Sequence, residues 1–348
     1  KAKALFAAGL SAGWDEKSFH FACSTQYTPA QATLFAGVSQ VPPGHHLVLT
    51  ADDSSVVTRA YWDLPRHQPE VDLEVDDFGH ALDVAVRLRL PAGQKCAFQL
   101  SGGLDSASVV ALACQALEET DVFTVSFPHP DYDELALAEE VAERYGARLH
   151  RVRLDEEDLI NALEPAVRHS EGLAVNGHLS AKFLLARAIH EQGFKVVLTG
   201  EGADEVLLGY PHFRQDLNAG VLEPDFLSQN RASAGIMLSA GPTLALGGVE
   251  AELGWVPSFL RAKAALGHRL HQVLKSDFLG SYRERDCFHE MLDGADLAGR
   301  DRLDQASYLW CKSALCNYIL STLGDGCEMS HSVEARLPFL DHHLVELV

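Results

Sequence analysis

Two short stretches set chemically active side chains beside glycine. The first, SGGLDS from Ser101 to Ser106, interrupts an apolar run that enters as Phe98 to Leu100. Gly102 and Gly103 let the backbone turn so that successive N–H groups face one anion. Ser101 and Ser106 add hydroxyls, and a helix starting near Ser106 offers its positive end. No Lys-Ser/Thr pair follows the second glycine, so this is not a Walker loop. A carboxylate at Asp105 repels an anion in such a cradle unless a divalent cation lies between them, which points to magnesium bridging to phosphates. The plain alternative is a solvated Gly-Asp-Ser turn.

The second stretch, TGEGADE, crowds Thr199, Glu201, Asp204 and Glu205 around Gly200 and Gly202. Three carboxylates so close repel one another unless a cation or a basic substrate group neutralises them. The bland alternative is an acidic helix N-terminus.

The elements that must carry these stretches alternate in type. From Leu73 onward, Phe78, Leu82, Ala85, Val86 and Leu90 share a helix face. Gln94 to Leu100 is expected as a buried strand and Ser106 to Glu118 as a helix. VFTVSF follows as a strand, then a helix ending at Gly146, the strand RLHRVRL, a helix over Ala181 to Gln192, and the strand FKVVLTG. Strand–helix–strand alternation without tight hairpins predicts an α/β fold with a doubly wound parallel sheet, its ligands at the carboxyl ends of the strands. Both glycine stretches then emerge at one edge of that sheet. Tyr308 to Leu323 reads as a further helix. Residues 1–64 differ: HHLVLT and VVTRAYWDL alternate like two strands after a turn at Pro42, Pro43 and Gly44. This β-rich piece is too small to hold a core alone. Residues 65–72 form a proline-bearing linker, and 73–348 the larger domain. Residues 219–300 read as helices and loops that identify no ligand.

Composition narrows the function classes. The 348 residues carry 28 Lys and Arg against 49 Asp and Glu, a net charge of −21. Phosphate backbones and anionic membranes repel such a chain, no basic run offsets the charge, and nucleic acid and membrane are excluded as partners. No apolar stretch is long enough for a bilayer, and KAKALFAAGL lacks a signal-peptide cleavage site. Seven scattered cysteines without a CxxC pair predict free thiols in a reducing cytoplasm and argue against structural zinc. Lys1 begins without a cap and Leu344 to Val348 stops within an apolar run, so flanking segments are expected on both sides.

SGGLDS resembles the pyrophosphate loop of the ATP pyrophosphatases. With TGEGADE, the LGY of Leu208 to Tyr210 and VEARLPFLD from Val333 to Asp341, the chain is similar to the synthetase domain of the asparagine synthetases. LFAGVSQVPPGHHL, YWDL and KALFAAG resemble that family's glutaminase domain, which makes 1–64 its C-terminal part and leaves 73–348 incomplete at its C-terminus. The resemblance implies an adenine-nucleotide α-hydrolase-like sheet and a C–N ligase. It would adenylate a carboxylate with ATP and Mg²⁺, release pyrophosphate, and transfer ammonia from glutamine to give an amide. Aspartate to asparagine is the default, with a natural-product acid or an internal amide (lactam or lasso-peptide closure) as the alternative. A nucleotide sensor without turnover is the third option. A homodimer is an allowed assembly.

By position, the resemblance implies that Leu100, Ser101, Gly102, Gly103, Asp105 and Ser106 cradle the pyrophosphate, with Asp105 and Asp204 on Mg²⁺. Val125 and Gly200 would neighbour the adenine, with Thr199 where the family often has serine. Glu201 and Glu205 would meet the substrate, Glu201 orienting its amine or taking a proton from the attacking nitrogen. Lactam-closing relatives carry tyrosine at the place of Glu201, so glutamate favours the asparagine synthetase reading over lactam closure. Gly326 stands where many relatives have arginine. The helix NGHLSAKFLLARAI does not resemble the usual aspartate-binding stretch, and Lys182 or Arg187 either binds a substrate carboxylate or, the preferred reading, lies along a helix surface. The family's glutaminase cysteine would precede Lys1, so Cys23 is not it, and its pyrophosphate-contacting lysine would follow Val348. His45-His46 and His342-His343 are adjacent pairs that diverge and do not share a metal. Glu334 and Arg336 are expected to pair internally. Asp131, Asp133 and Glu134 either reach the metal or cap the next helix.

Overall fold

A computed structural model of the chain describes residues 1–50, 55–66, 73–217, 244–292 and 295–348. Most of the linker and all of 218–243, which opens the stretch from 219 to 300, lie outside these residues. The chain divides into two compact units. One joins Lys1–Arg66 to Tyr210–Tyr318, the other His67–Gly209 to Ile319–Val348.

In the first unit, helices α1 (Ala2–Ala7) and α2 (Glu16–Thr25) precede strands β1 (His45–Leu49) and β2 (Val56–Ala60). The strands pair antiparallel from His45 opposite Ala60 to Leu49 opposite Val56, as their alternation predicted. Helix α2 starts on an Asp15 side-chain cap and packs against the helix Ser258–His271. Arg300 ties the strand pair's exit to the rest of this unit. Its guanidinium donates to the carbonyls of Leu64 and Pro65 and to Asp304.

The second unit is a five-stranded sheet in the order β5-β4-β3-β6-β7, every pair parallel. Its strands are β3 (Ala97–Gln99), β4 (Asp121–Ser126), β5 (Arg148–Arg153), β6 (Val196–Leu198) and β7 (Glu334–Arg336). The helices α3 (Val75–Arg89), α4 (Leu104–Ala116), α5 (Leu135–Tyr145), α6 (Glu156–Ser170), α7 (His178–Glu191) and α8 (Ala203–Val206) connect and cover them. Period-two alternation sends each strand's side chains to opposite faces. Phe98, Val122, Val196 and Leu198 join Leu82 and Val86 of α3, Val109 and Val110 of α4, and Ala138 and Ala142 of α5. Ala97, Phe123 and Val197 point the other way, onto Leu185 and Ile189 of α7. Burial on both faces is why the central strands read as near-continuous apolar runs.

Three elements depart from the expectation. Helix α6, closed by an Asp155–Asp158 capping box, lies in a stretch to which no element was assigned. VEARLPFLD contributes β7, an edge strand beside β6, as well as the expected Arg336–Glu334 ion pair at 2.8 Å. The helix expected over Tyr308 to Leu323 is an α-helix only to Trp310 and continues as a π-helix over Cys311–Asp325. Within it, Ser313 Oγ donates to the Leu309 carbonyl and Asn317 Nδ2 to that of Lys312, side-chain bonds that compete with a regular ladder.

Candidate functional site

The chain runs outward from β3 through β4 to β5, then returns to lay β6 and β7 on the other side of β3. The order reverses between β3 and β6, the switch point outside whose carboxyl ends sheets of this kind offer a crevice to ligands. SGGLDS leaves β3 there, and TGEGADE leaves β6.

Leu100 is buried, its N–H donating to the Phe123 carbonyl, and Gly103 caps α4. The loop is held by its own hydroxyls. Ser106 Oγ accepts from the Ser101 N–H and donates to loop carbonyls, while Ser101 Oγ accepts from the Gly103 N–H at 3.1 Å. The first amides of α4 have no intrahelical acceptor and carry the helix's positive end. Gly102 N–H donates at 3.2 Å to Glu134 Oε2, a carboxylate oxygen lodged where an anion is expected. Glu134 therefore reaches the loop, and it makes no side-chain cap on α5. Asp133 instead accepts from the Phe127 N–H.

Gly200 brings the two loops together. A Cβ there would stand 2.8 Å from the Ser106 nitrogen and 2.9 Å from the Asp105 carbonyl carbon, so no other residue permits this approach. Thr199 is buried, and its Oγ1 accepts from the Glu201 N–H at 3.1 Å. Asp204 feels the charge of Asp105. Burial lifts the Asp105 carboxyl above its ordinary value. Burial, then Asp105 and Glu201, push Asp204 up to about 6. Such a pair suits a cation. Among the described residues no group of three or more His, Cys, Asp or Glu side chains forms a metal site. The protein's share would be two carboxylates, a donor set that suits magnesium completed by phosphate oxygens. Glu205 is buried, and Val125 sits near the end of β4 on the face shared with Phe123.

Glu201 is held by a residue expected elsewhere. Lys182, read as a surface cation, is largely covered and pairs with Glu201 Oε1 at 2.8 Å. Helix α7 places His178 and Lys182 one turn apart, and Lys182 reaches the loop after β6. Lys182 Nζ also donates to Gln99 Oε1 at 3.0 Å. An ammonium only donates, so the Gln99 amide must present its oxygen to it and its nitrogen to Glu328 Oε1, 3.2 Å away. The Lys182 charge holds Glu201 below the usual carboxylate range. Burial opposes the ammonium, but Glu201 and then Glu328 outweigh it and raise its pKa. Burial lifts Glu328, with Lys182 opposing and Glu201 reinforcing the rise. Desolvation lowers the His178 pKa, with Glu201 opposing and Lys182 reinforcing the shift.

Gln99, Lys182 and Glu328 carried faint signals: a polar residue ending the buried strand CAFQL, a lysine inside LSAKFLL, and an acid beside Cys327 and Met329. Each alone is weak, because only the sheet brings positions 99, 182 and 328 together.

Residues 77–348 match the family model described as Asparagine synthase. "Amidase chyE" of Penicillium rubens is 31% identical across 99% of this chain and 56% of its own length. "Amidase chry2" of Gibberella zeae is 30% identical over the same shares. A "Putative asparagine synthetase [glutamine-hydrolyzing]" of Mycobacterium bovis is 27% identical over 96% of this chain and 52% of that one. The chain thus spans about half the length of these curated relatives.

Proposed function

From the premise that this chain belongs to the asparagine synthase family, we propose that the crevice between β3 and β6 serves an ATP-dependent ligase that converts a carboxylate into an amide. The observation that carries this reading is the contact of two loops of opposite character. The SGGLDS loop offers amides to an anion, and one of them already holds the Glu134 carboxylate. The TGEGADE loop, held against it at Gly200, offers carboxylates to a cation.

In this reading Leu100, Ser101, Gly102, Gly103 and Ser106 hold the β- and γ-phosphates, and Glu134 yields its amide to them. Asp105 and Asp204 would hold Mg²⁺, which offsets phosphate charge when bound. Val125, Thr199 and Gly200 border the nucleotide. The substrate carboxylate attacks the α-phosphorus and pyrophosphate leaves. Ammonia then attacks the resulting acyl carbon, giving the amide, AMP and one proton. Glu201, kept ionised by Lys182, accepts hydrogen bonds from the attacking nitrogen. Its lowered pKa makes it an orienting acceptor rather than a strong base. Glu205, buried in α8 just after the loop, would border the substrate. Positioning and charge neutralisation supply the acceleration. Residues 1–64, by their resemblance to a glutaminase domain, are the end of the part that would supply ammonia from glutamine.

Pyrophosphate release by the full-length protein, given ATP, Mg²⁺, ammonia and a panel of carboxylic acids, tests this function, with the amide identified by mass spectrometry. Asp105→Asn is expected to abolish release. ATP bound without release under any acid would favour a nucleotide sensor and refute the ligase.

A further inference from the structure

At the foot of the same crevice, two carboxylates share one ammonium. Lys182 meets Glu201 at 2.8 Å and Gln99 at 3.0 Å, and Gln99 passes a hydrogen bond on to Glu328. The chain spends that lysine internally, so its charge is not free for a ligand. Arg336 is engaged by Glu334 and by the Arg89 carbonyl. Among the described residues of this unit, neither cation stands ready for a substrate carboxylate.

Acceptors, in contrast, are in surplus. Glu328 is 1% exposed, and its Oε2 has no hydrogen-bond partner among the described residues. A buried carboxylate oxygen without a donor is costly and calls for one. Beside it lies Gly324. A Cβ there would have only Ile319 O, at 3.3 Å, and Glu328 Oε2, at 3.8 Å, within 4 Å. Gly324 thus sets no side chain against the orphaned oxygen. The cluster hangs from the residues that carry the nucleotide loops: Gln99 ends β3 two positions before Ser101, and Glu201 follows Thr199.

Resting on the amide-forming reading, we infer that the acid activated here is a monocarboxylate bearing an amino group, which the Glu201–Glu328 pair receives, and not a dicarboxylate such as aspartate. A second carboxylate would be desolvated beside two others with one committed lysine among them, whereas an ammonium completes the count. Rejection of the dicarboxylate by like charge would do as much for specificity as attraction of the amine.

Matched acids test this on the full-length protein. β-Alanine is set against succinate, 4-aminobutyrate against glutarate, and aspartate stands alone. Pyrophosphate release with ATP, Mg²⁺ and ammonia is one readout; equilibrium binding of each acid by calorimetry is the other. The amino member of each pair is expected to win by about tenfold or more in both. Glu328→Gln, which keeps shape and removes charge, is expected to shrink that preference severalfold, and Glu201→Gln to free Lys182 and improve dicarboxylate binding. Turnover that favours succinate, glutarate or aspartate overturns the inference and leaves the ligase standing. Selective binding of the amino acids without release from any acid supports the inference and refutes the ligase. Failure of every acid to bind or react refutes both.

Discussion

Removing Lys182 tests the charge cluster most directly. The Lys182→Met variant keeps length and apolar stem but leaves Glu201 and Glu328 together without their cation. Breaking a fully buried pair by deleting one partner costs about 3–5 kcal/mol. The Lys182 and Glu201 side chains are 19% and 31% exposed, so water recovers part of that loss. A cost of about 2–3 kcal/mol is expected after this discount. Glu201→Gln should cost about 1–2 kcal/mol, because Lys182 retains Gln99 and the field of Glu328. The double variant has no pair to break, and its loss should fall short of the sum by about 1.5 kcal/mol. Denaturant unfolding of all four proteins at pH 7 measures each value. Additivity within about 0.5 kcal/mol would show the two residues to be uncoupled and refute both the pair and the role given to it.

Three further outcomes follow from particular contacts. The pair's stabilising effect should depend on pH in a defined window. Lys182 has a raised folded pKa, so its part is complete below its unfolded value of about 10.4 and fades as pH rises through the folded one. Glu201 has a lowered folded pKa, so its part is complete above about 4.3 and fades as pH falls through the folded one. The stability gap between wild type and Lys182→Met should therefore be flat from about pH 5 to 10 and narrow in acid, and an acid-independent gap would contradict it. Gly200→Ala should cost about 1–3 kcal/mol and sharply reduce pyrophosphate release, since its Cβ would stand 2.8 Å from the Ser106 nitrogen; unchanged release would mean the loops need not touch. Arg300→Ala should destabilise by about 3–5 kcal/mol, because the side chain is 1% exposed and its loss removes the covered ion pair with Asp304 and the hydrogen bonds to the Leu64 and Pro65 carbonyls. Limited proteolysis should then cut residues 55–66 faster, and an unchanged cleavage rate would count against that anchoring role.

Much of the second unit was legible from spacing. Strands buried on both faces are apolar throughout, and the helices between them show one apolar face, so the alternation survives in the linear chain. The edge strand β7 was less visible, because three residues of mixed polarity, Glu334 to Arg336, carry no strand pattern of their own. They become a strand only because β6 offers an unpaired edge. The π-helix was hidden for a related reason. The same apolar residues suit either helical spacing, and local hydrogen bonds decide between them.

Sequence alone determined the two loops and the side-chain types they carry. Gly102, Gly103, Asp105, Glu201 and Asp204 lie in contiguous motifs, where local geometry follows from neighbours in the chain. Tertiary structure alone decided the company those residues keep. Strand order places β3 beside β6, and only then does Gly200 meet Asp105. Lys182 looked like a solvated helix cation until α7 turned it toward Glu201. Glu328 carried no visible role until Gln99 linked it to that lysine. A side chain's charge is written in the sequence, but whether water or a distant residue balances it depends on burial, which the fold sets.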